Sequence, residues 1–255
     1  LAMATAAVIG LAACGSSSSP SATTSAAADG TGDKAYTIAL ITHETPGDTY
    51  WNIVRAGAEV AAKKLGIDLK YSSDPDFTKQ AVLVQNAVDS KVDGIALTAA
   101  GPDALIGSIA NARAAGIPVV GLDSGIDDWQ RIGMNMYFGS DEYVAGQALG
   151  KAIAAKGGKH ALCVIHQEGS VALEARCKGV AEGLKSENIQ VNGTDDASVK
   201  SSVTAKLQQD PSIDWIVSMG APLALVLRDA VSAAGSNAQI GTFDLNADAA
   251  LAIQD

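Results

Sequence analysis

Asp123 and Asp244 stand at the ends of two stretches that follow one pattern. Val92-Asp93-Gly94-Ile95-Ala96-Leu97 recurs in pattern as Ile213-Asp214-Trp215-Ile216-Val217-Ser218, and each is followed by a loop proline, Pro102 or Pro222. Each copy then enters a helical stretch closing on Ala-Ala-Gly, at Gly116 or Gly235, and finishes in an apolar strand that ends at the aspartate. Asp93 to Asp123 and Asp214 to Asp244 both span 30 residues. A shared strand, loop, helix and strand with matched end residues implies two lobes built on one plan. An ionised carboxylate only accepts hydrogen bonds, and its two oxygens suit adjacent hydroxyls of one small molecule through charge-assisted bonds. The alternative is that each aspartate caps the helix or turn that follows it. The matched pair favours a ligand.

Other candidates lie nearby in the pattern. His43 and Glu44 end the first strand, Tyr50 and Trp51 sit in the loop before the first helix, and Ser124 follows Asp123. Aromatic residues make up only 4% of the chain, so an aromatic pair in a loop stands out. The histidines at 43, 160 and 166 are scattered without a cysteine or carboxylate cluster of ligand type, so no metal is expected. No glycine-rich phosphate loop is present, and no cofactor is expected. Cys163, in a strand, and Cys177, in the following helix, either pair or stay as two buried thiols.

The elements that must hold these residues alternate. Apolar runs at Thr37–Thr42, Ile67–Tyr71, Gly94–Thr98, Pro118–Leu122 and Ile132–Phe138 read as strands. The helical patterns Trp51–Leu65, Phe77–Ser90 and Leu105–Ala115 lie among them. A second series runs through Ala161–His166, the helix Val171–Leu184, a short strand near Ile189, the helix Val199–Gln208, Trp215–Met219, the helix Leu223–Ala234, Gln239–Phe243 and a helix starting at Asp248. This is an α/β chain of two Rossmann-like lobes, each a parallel sheet with helices on both faces. In such sheets ligands meet the carboxyl ends of the strands, so two facing edges make a cleft holding both aspartates.

At 255 residues and 47% hydrophobic content the chain can bury a substantial core, and its net charge of -10 argues against nucleic acid or an anionic membrane as partner. Residues 1–14 read as a signal peptide whose Leu11-Ala12-Ala13-Cys14 resembles the lipobox of bacterial lipoproteins, with Cys14 acylated. An ordinary signal with an incidental cysteine is the alternative. Residues 15–35 read as a flexible tether, 36–138 as the first lobe and 139–255 as the second.

From about Tyr36 onward the chain resembles the periplasmic sugar-binding proteins of ABC importers, of the ribose and galactose type. The resemblance rests on Tyr50-Trp51 before Gly57-Ala58, the helix leading into Val92-Asp93-Gly94-Ile95, and Gly116-Ile117-Pro118-Val119. Asp123, Gly139-Ser140-Asp141, Arg176 with Gly179, and Phe243-Asp244 complete it. It implies a hinged type I binding protein that captures a sugar or polyol for an ABC permease. Trp51 would stack on the ligand, and Asp123, Asp244 and Arg176 would bond its hydroxyls. It also implies a monomer that touches the membrane only through its lipid anchor, and a second lobe incomplete at the C-terminus. Ribose-type relatives usually carry arginine where Ser124 stands and Asn-Asp near Gly220-Ala221, which argues against ribose. The rival readings are an exported carbohydrate-active enzyme using Asp123 and Asp244 as acid and base, and a chemosensory or signalling receptor of the same fold. The first needs two carboxyls fixed across a scissile bond, and no nucleophile motif supports it.

Overall fold

The computed structural model describes residues 35–254. The expected signal segment, Cys14 and nearly all of the expected tether lie outside the described residues. β1 (Thr37–Thr42), β2 (Asp68–Ser73), β3 (Gly94–Leu97), β4 (Val119–Leu122) and β5 (Met136–Phe138) form a parallel sheet in the order β2-β1-β3-β4-β5. β6 (His160–Ile165), β7 (Lys185–Gln190), β8 (Trp215–Ser218) and β9 (Gln239–Thr242) form a second in the order β7-β6-β8-β9, also parallel. The helices α1 (Thr49–Leu65), α2 (Phe77–Asp89) and α3 (Pro102–Ala114) alternate with the first set of strands. In the same way α4 (Glu142–Ala155), α5 (Val171–Val180), α6 (Asp196–Gln209), α7 (Ala221–Ala234) and α8 (Ala247–Gln254) accompany the second.

Parallel strands covered on both faces form near-continuous apolar runs, and β6 is buried at all six residues and apolar at all but His160. Its side chains alternate between two layers. Leu162 and Val164 pack with Val199, Val203 and Leu227 of α6 and α7, whereas Ala161, Cys163 and Ile165 pack with Ile153 and Val180 of α4 and α5. In the first sheet Ile41, Ile95, Leu97 and Val119 form one core with Val84 of α2 and Leu105 and Ile109 of α3.

The internal repeat has a structural counterpart at both ends. Asp93 accepts from the Thr37 amide at 2.9 Å, tying the start of β1 to the start of β3. Asp214 accepts from the Lys159 and His160 amides, tying β6 to β8 in the same way. The loop glycines Gly116 and Gly235 both adopt positive φ after their helices, where side chains are disfavoured.

Four elements differ from expectation. Helix α1 begins at Thr49, with Asp48 as its cap, so Tyr50 and Trp51 lie in its first turn and not in the loop before it. The sequence reading assigns nothing to residues 142–155, yet these form α4. Its Gly146 and Gly150 face α5 so closely that a Cβ would lie 2.1 Å from the Arg176 carbonyl oxygen and 2.4 Å from that of Val180. The glycines that weaken helix propensity here permit close helix packing. The strand expected over Ile132–Phe138 is confined to Met136–Phe138, because Ile132 and Met134 turn into the core around Gly133, at φ +90°. The helix expected to run to Leu184 stops at Val180, and Lys185–Gln190 becomes a full edge strand.

Candidate functional site

Each sheet delivers side chains from the residues just past its strand ends. His43 follows β1, Asp123 follows β4, His166 follows β6, and Asp244 lies two residues past β9. With Tyr50, Trp51, Ser124 and Arg176 they line one cavity between the sheets. Bonds also cross between the sheets: the Val171 amide donates to the Ala100 carbonyl at 3.0 Å and Gln167 Nε2 to the Pro75 carbonyl at 2.9 Å. Glu44 is the exception among the expected residues. Its carboxylate accepts from the Tyr71 hydroxyl on β2, because successive residues leaving a strand point to opposite sides.

Asp123 is held from several directions. Its Oδ1 accepts from the Tyr50 hydroxyl at 2.5 Å and its Oδ2 from Ser124 Oγ at 2.8 Å. Its own carbonyl accepts from Tyr137 at 2.6 Å. Two acceptances leave lone pairs on both carboxylate oxygens for further donors. Burial and the neighbouring Asp123 charge push the Tyr50 hydroxyl far above its ordinary range, so Tyr50 stays a donor. Tyr50 and Trp51 meet edge to face, as do Trp51 and His43, and Trp51 is only 4% exposed. Asp48, which the sequence reading passed over, caps α1 by accepting from the Tyr50 amide at 3.0 Å. It also lines the cavity, and burial raises its carboxyl.

The hydrogen bonds around Thr98 set the state of His43. Thr98 Oγ1 lies 3.1 Å from the His43 amide and 3.1 Å from Gln80 Nε2, both of which only donate. The Thr98 hydroxyl therefore donates a hydrogen bond to His43 Nδ1, 2.7 Å away. Burial lowers the His43 pKa to about 4, with Asp123 opposing and Arg176 reinforcing the shift. The ring is neutral near pH 7, with Nδ1 accepting and the proton on Nε2.

Arg176 supplies the site's cation. Its Nε pairs with buried Glu142 of α4, its Nη1 donates to the Met219 carbonyl at 3.0 Å, and the guanidinium stands 4.7 Å from the Phe243 ring centre. Burial opposes its charge, but pairing with Glu142 and the Asp244 and Asp123 carboxylates outweighs that. Asp244 keeps much of its surface open at the cavity, but its carboxyl is raised, first by partial desolvation and then by Asp48, Asp123 and Glu142, with Arg176 pulling it down. Asp123 and Asp244 share an unusual backbone, with φ of 61° and 63°.

His166 was also missed. In register, Ile38 pairs Gly94 and Ala161 pairs Trp215, so β6 matches β1 with His166 at the place of His43. Comparing Thr42-His43-Glu44 with Ile165-His166-Gln167 would have found it. Burial lowers its pKa to about 4, helped by His43 and Arg176. Ser170, 1% exposed, also lines the cavity.

Away from the cavity, Cys163 and Cys177 form a disulfide linking β6 to α5. The expectation that no histidine joins a carboxylate cluster is corrected by His160, whose ligand atom lies within 4.8 Å of those of Glu187 and Asp210. Lys206 Nζ is 2.7 Å from Glu187 and Lys185 Nζ 3.3 Å from His160 Nδ1, so two ammonium groups border the cluster. No helix among the described residues is long and apolar enough to cross a membrane.

A family model described as the periplasmic binding protein domain matches residues 38–255. The chain is similar to a crystal structure of a carbohydrate transporter from Acidothermus cellulolyticus 11B in complex with myo-inositol. The two are 52% identical with a TM-score of 0.84, over 87% of this chain and 78% of that one. It is also similar to the D-apiose import binding proteins of Actinobacillus succinogenes, 37% identical over 93 residues, and Paraburkholderia graminis, 34% identical over 137 residues. Those alignments take in 35% and 51% of this chain but 29% and 42% of the relatives, so the chain spans less than half the length of the curated relatives it matches.

Proposed function

This chain belongs to the periplasmic binding protein family, whose members bind solutes rather than transform them, and from that premise we propose that it captures a small polyhydroxylated ligand, a cyclic polyol or a sugar, in the cavity between its sheets. The observation that carries the reading is the matched pair, Asp123 and Asp244, on one backbone conformation at equivalent strand ends. Carboxylates accept hydrogen bonds from hydroxyls, while the Nε2–H of neutral His43 and the guanidinium of Arg176 donate to hydroxyl or ring oxygens. A polyol needs both kinds of partner. The myo-inositol complex of the Acidothermus protein favours a cyclitol, and the D-apiose import binding proteins support the wider polyhydroxylated class.

In the same proposal, residues 36–138 and 139–255 are the two lobes, and the chain is exported, acylated at Cys14 and monomeric. It passes its ligand to an ABC permease. Thermal shift against myo-inositol, D-apiose, D-ribose, D-glucose and sorbitol tests the binding. A ligand that binds only the folded state at about 100 times its Kd adds about 2.7 kcal/mol, or about 5 °C or more in Tm for a chain of this size. We expect myo-inositol to give the largest shift. A flat response across the panel contradicts the reading.

A further inference from the structure

The two histidines occupy equivalent places but have different partners. Thr98 follows β3 and donates a hydrogen bond from its hydroxyl to His43 Nδ1. The residue that follows β8 in the same register is Met219, which has no such donor. Accordingly, His166 Nδ1 is buried without a hydrogen-bond partner among the described residues. The nearby Ser170 Oγ is likewise buried and unpartnered among them. Both residues line the cavity. Buried polar atoms are almost always bonded, so two unmet ones beside a cavity mark where a ligand completes the network. His166 is also packed closely against Gly193. The Gly193 amide donates to the His166 carbonyl at 2.9 Å, and a Cβ on Gly193 would lie 3.0 Å from the ring's Cδ2 and 2.9 Å from its Cβ.

We propose that His166 is a specificity-determining residue whose Nδ1 bonds one ligand hydroxyl from the second lobe. Two His–Asp pairs, His43 with Asp123 and His166 with Asp244, then grip opposite edges of the ligand. This inference rests on the reading of the cavity as a polyol site. A ring bearing a hydroxyl on every carbon satisfies both pairs at once, whereas a ring lacking hydroxyls on one edge leaves a buried imidazole nitrogen unpaired. Loss of one hydrogen bond to a site built for it weakens binding strongly.

The test is calorimetric titration of myo-inositol into the chain and two variants, with melting curves for each. His166→Phe keeps a ring but removes both nitrogens, and His166→Asn keeps a polar atom close to the place of Nδ1. We expect the phenylalanine variant to lose at least about 10-fold in affinity and the asparagine variant to recover part of that loss. A folded His166→Phe protein that binds within twofold of wild type overturns the inference while leaving the polyol reading intact. Should that variant fail to fold, the imidazole ¹⁵N resonance of wild-type His166 Nδ1 decides: it moves on saturation with myo-inositol, and an unmoved resonance overturns the inference. Absence of myo-inositol binding by the wild type overturns it by a different route, together with the cyclitol reading.

Discussion

Asp123 and Asp244 adopt a left-handed backbone that L side chains avoid at a cost of roughly 1–2 kcal/mol, with Asn and Asp the usual exceptions. The residue type and the backbone are therefore linked, and the choice of substitution decides what an experiment reads. Asp244→Asn keeps the backbone preference and removes the charge, so we expect Tm to stay within about 2 °C while ligand affinity falls at least about 10-fold. Asp244→Ala should lose comparable affinity and also destabilise by about 1 kcal/mol. Denaturant melts of the two variants side by side check the difference.

The buried imidazoles give stability a pH dependence of definite sign. His43 and His166 have folded pKa values near 4 against an ordinary 6.5. Between those values the unfolded chain takes up protons that the folded chain refuses. Stability is full above about pH 6.5 and falls as pH drops toward 4. Asp48 and Asp244, whose carboxyls are raised by burial, act in the opposite sense near the acid end. Tm measured from pH 7.5 to 5 should decline, and a flat or rising curve contradicts the assignment of two neutral imidazoles.

At the scale of elements, α4 and α5 determine where Arg176 stands. Gly146 and Gly150 on α4 meet the carbonyls of Arg176 and Val180, and Gly179 and Gly183 return the contact from the other side. Gly146→Ala should cost about 1–3 kcal/mol by overpacking, visible as a lower Tm, and should weaken binding because Arg176 shifts away from Glu142. The Cys163–Cys177 bridge joins β6 to the same helix across a separation of 14 residues. Replacing both cysteines with alanine should cost about 3 kcal/mol, as expected for a loop of that size.

These elements also show what can be read from a sequence. The repeat exposed both aspartates because strand, helix, loop glycine and aspartate recur together, and the two sheets need the same residue at the same corner. α4 was invisible because its glycines serve another helix, a tertiary reason that no local propensity records. Glu44 was misplaced because nothing in the sequence says which residue after β1 continues toward the cavity and which toward Tyr71. His166 itself shows once the two strand-end tripeptides are compared, but its missing partner, Met219 in place of Thr98, shows only with the strand register.

For the whole molecule, two copies of one α/β plan present equivalent strand ends across a shared cavity, and hydrogen bonds from Val171 and Gln167 tie the segments after β6 to those of the first sheet. On the proposed reading, ligand groups would reach both sheets' strand ends at once, which would couple binding to closure. Calorimetric titration of myo-inositol into the wild-type chain and into the Asp123→Asn/Asp244→Asn double variant tests that claim most directly. The account predicts one saturable site per chain in the wild type and at least about 100-fold weaker binding in a variant that still melts cooperatively, which is about 2.7 kcal/mol. Equal affinity in the two proteins, or no binding heat at all in the wild type, would contradict it.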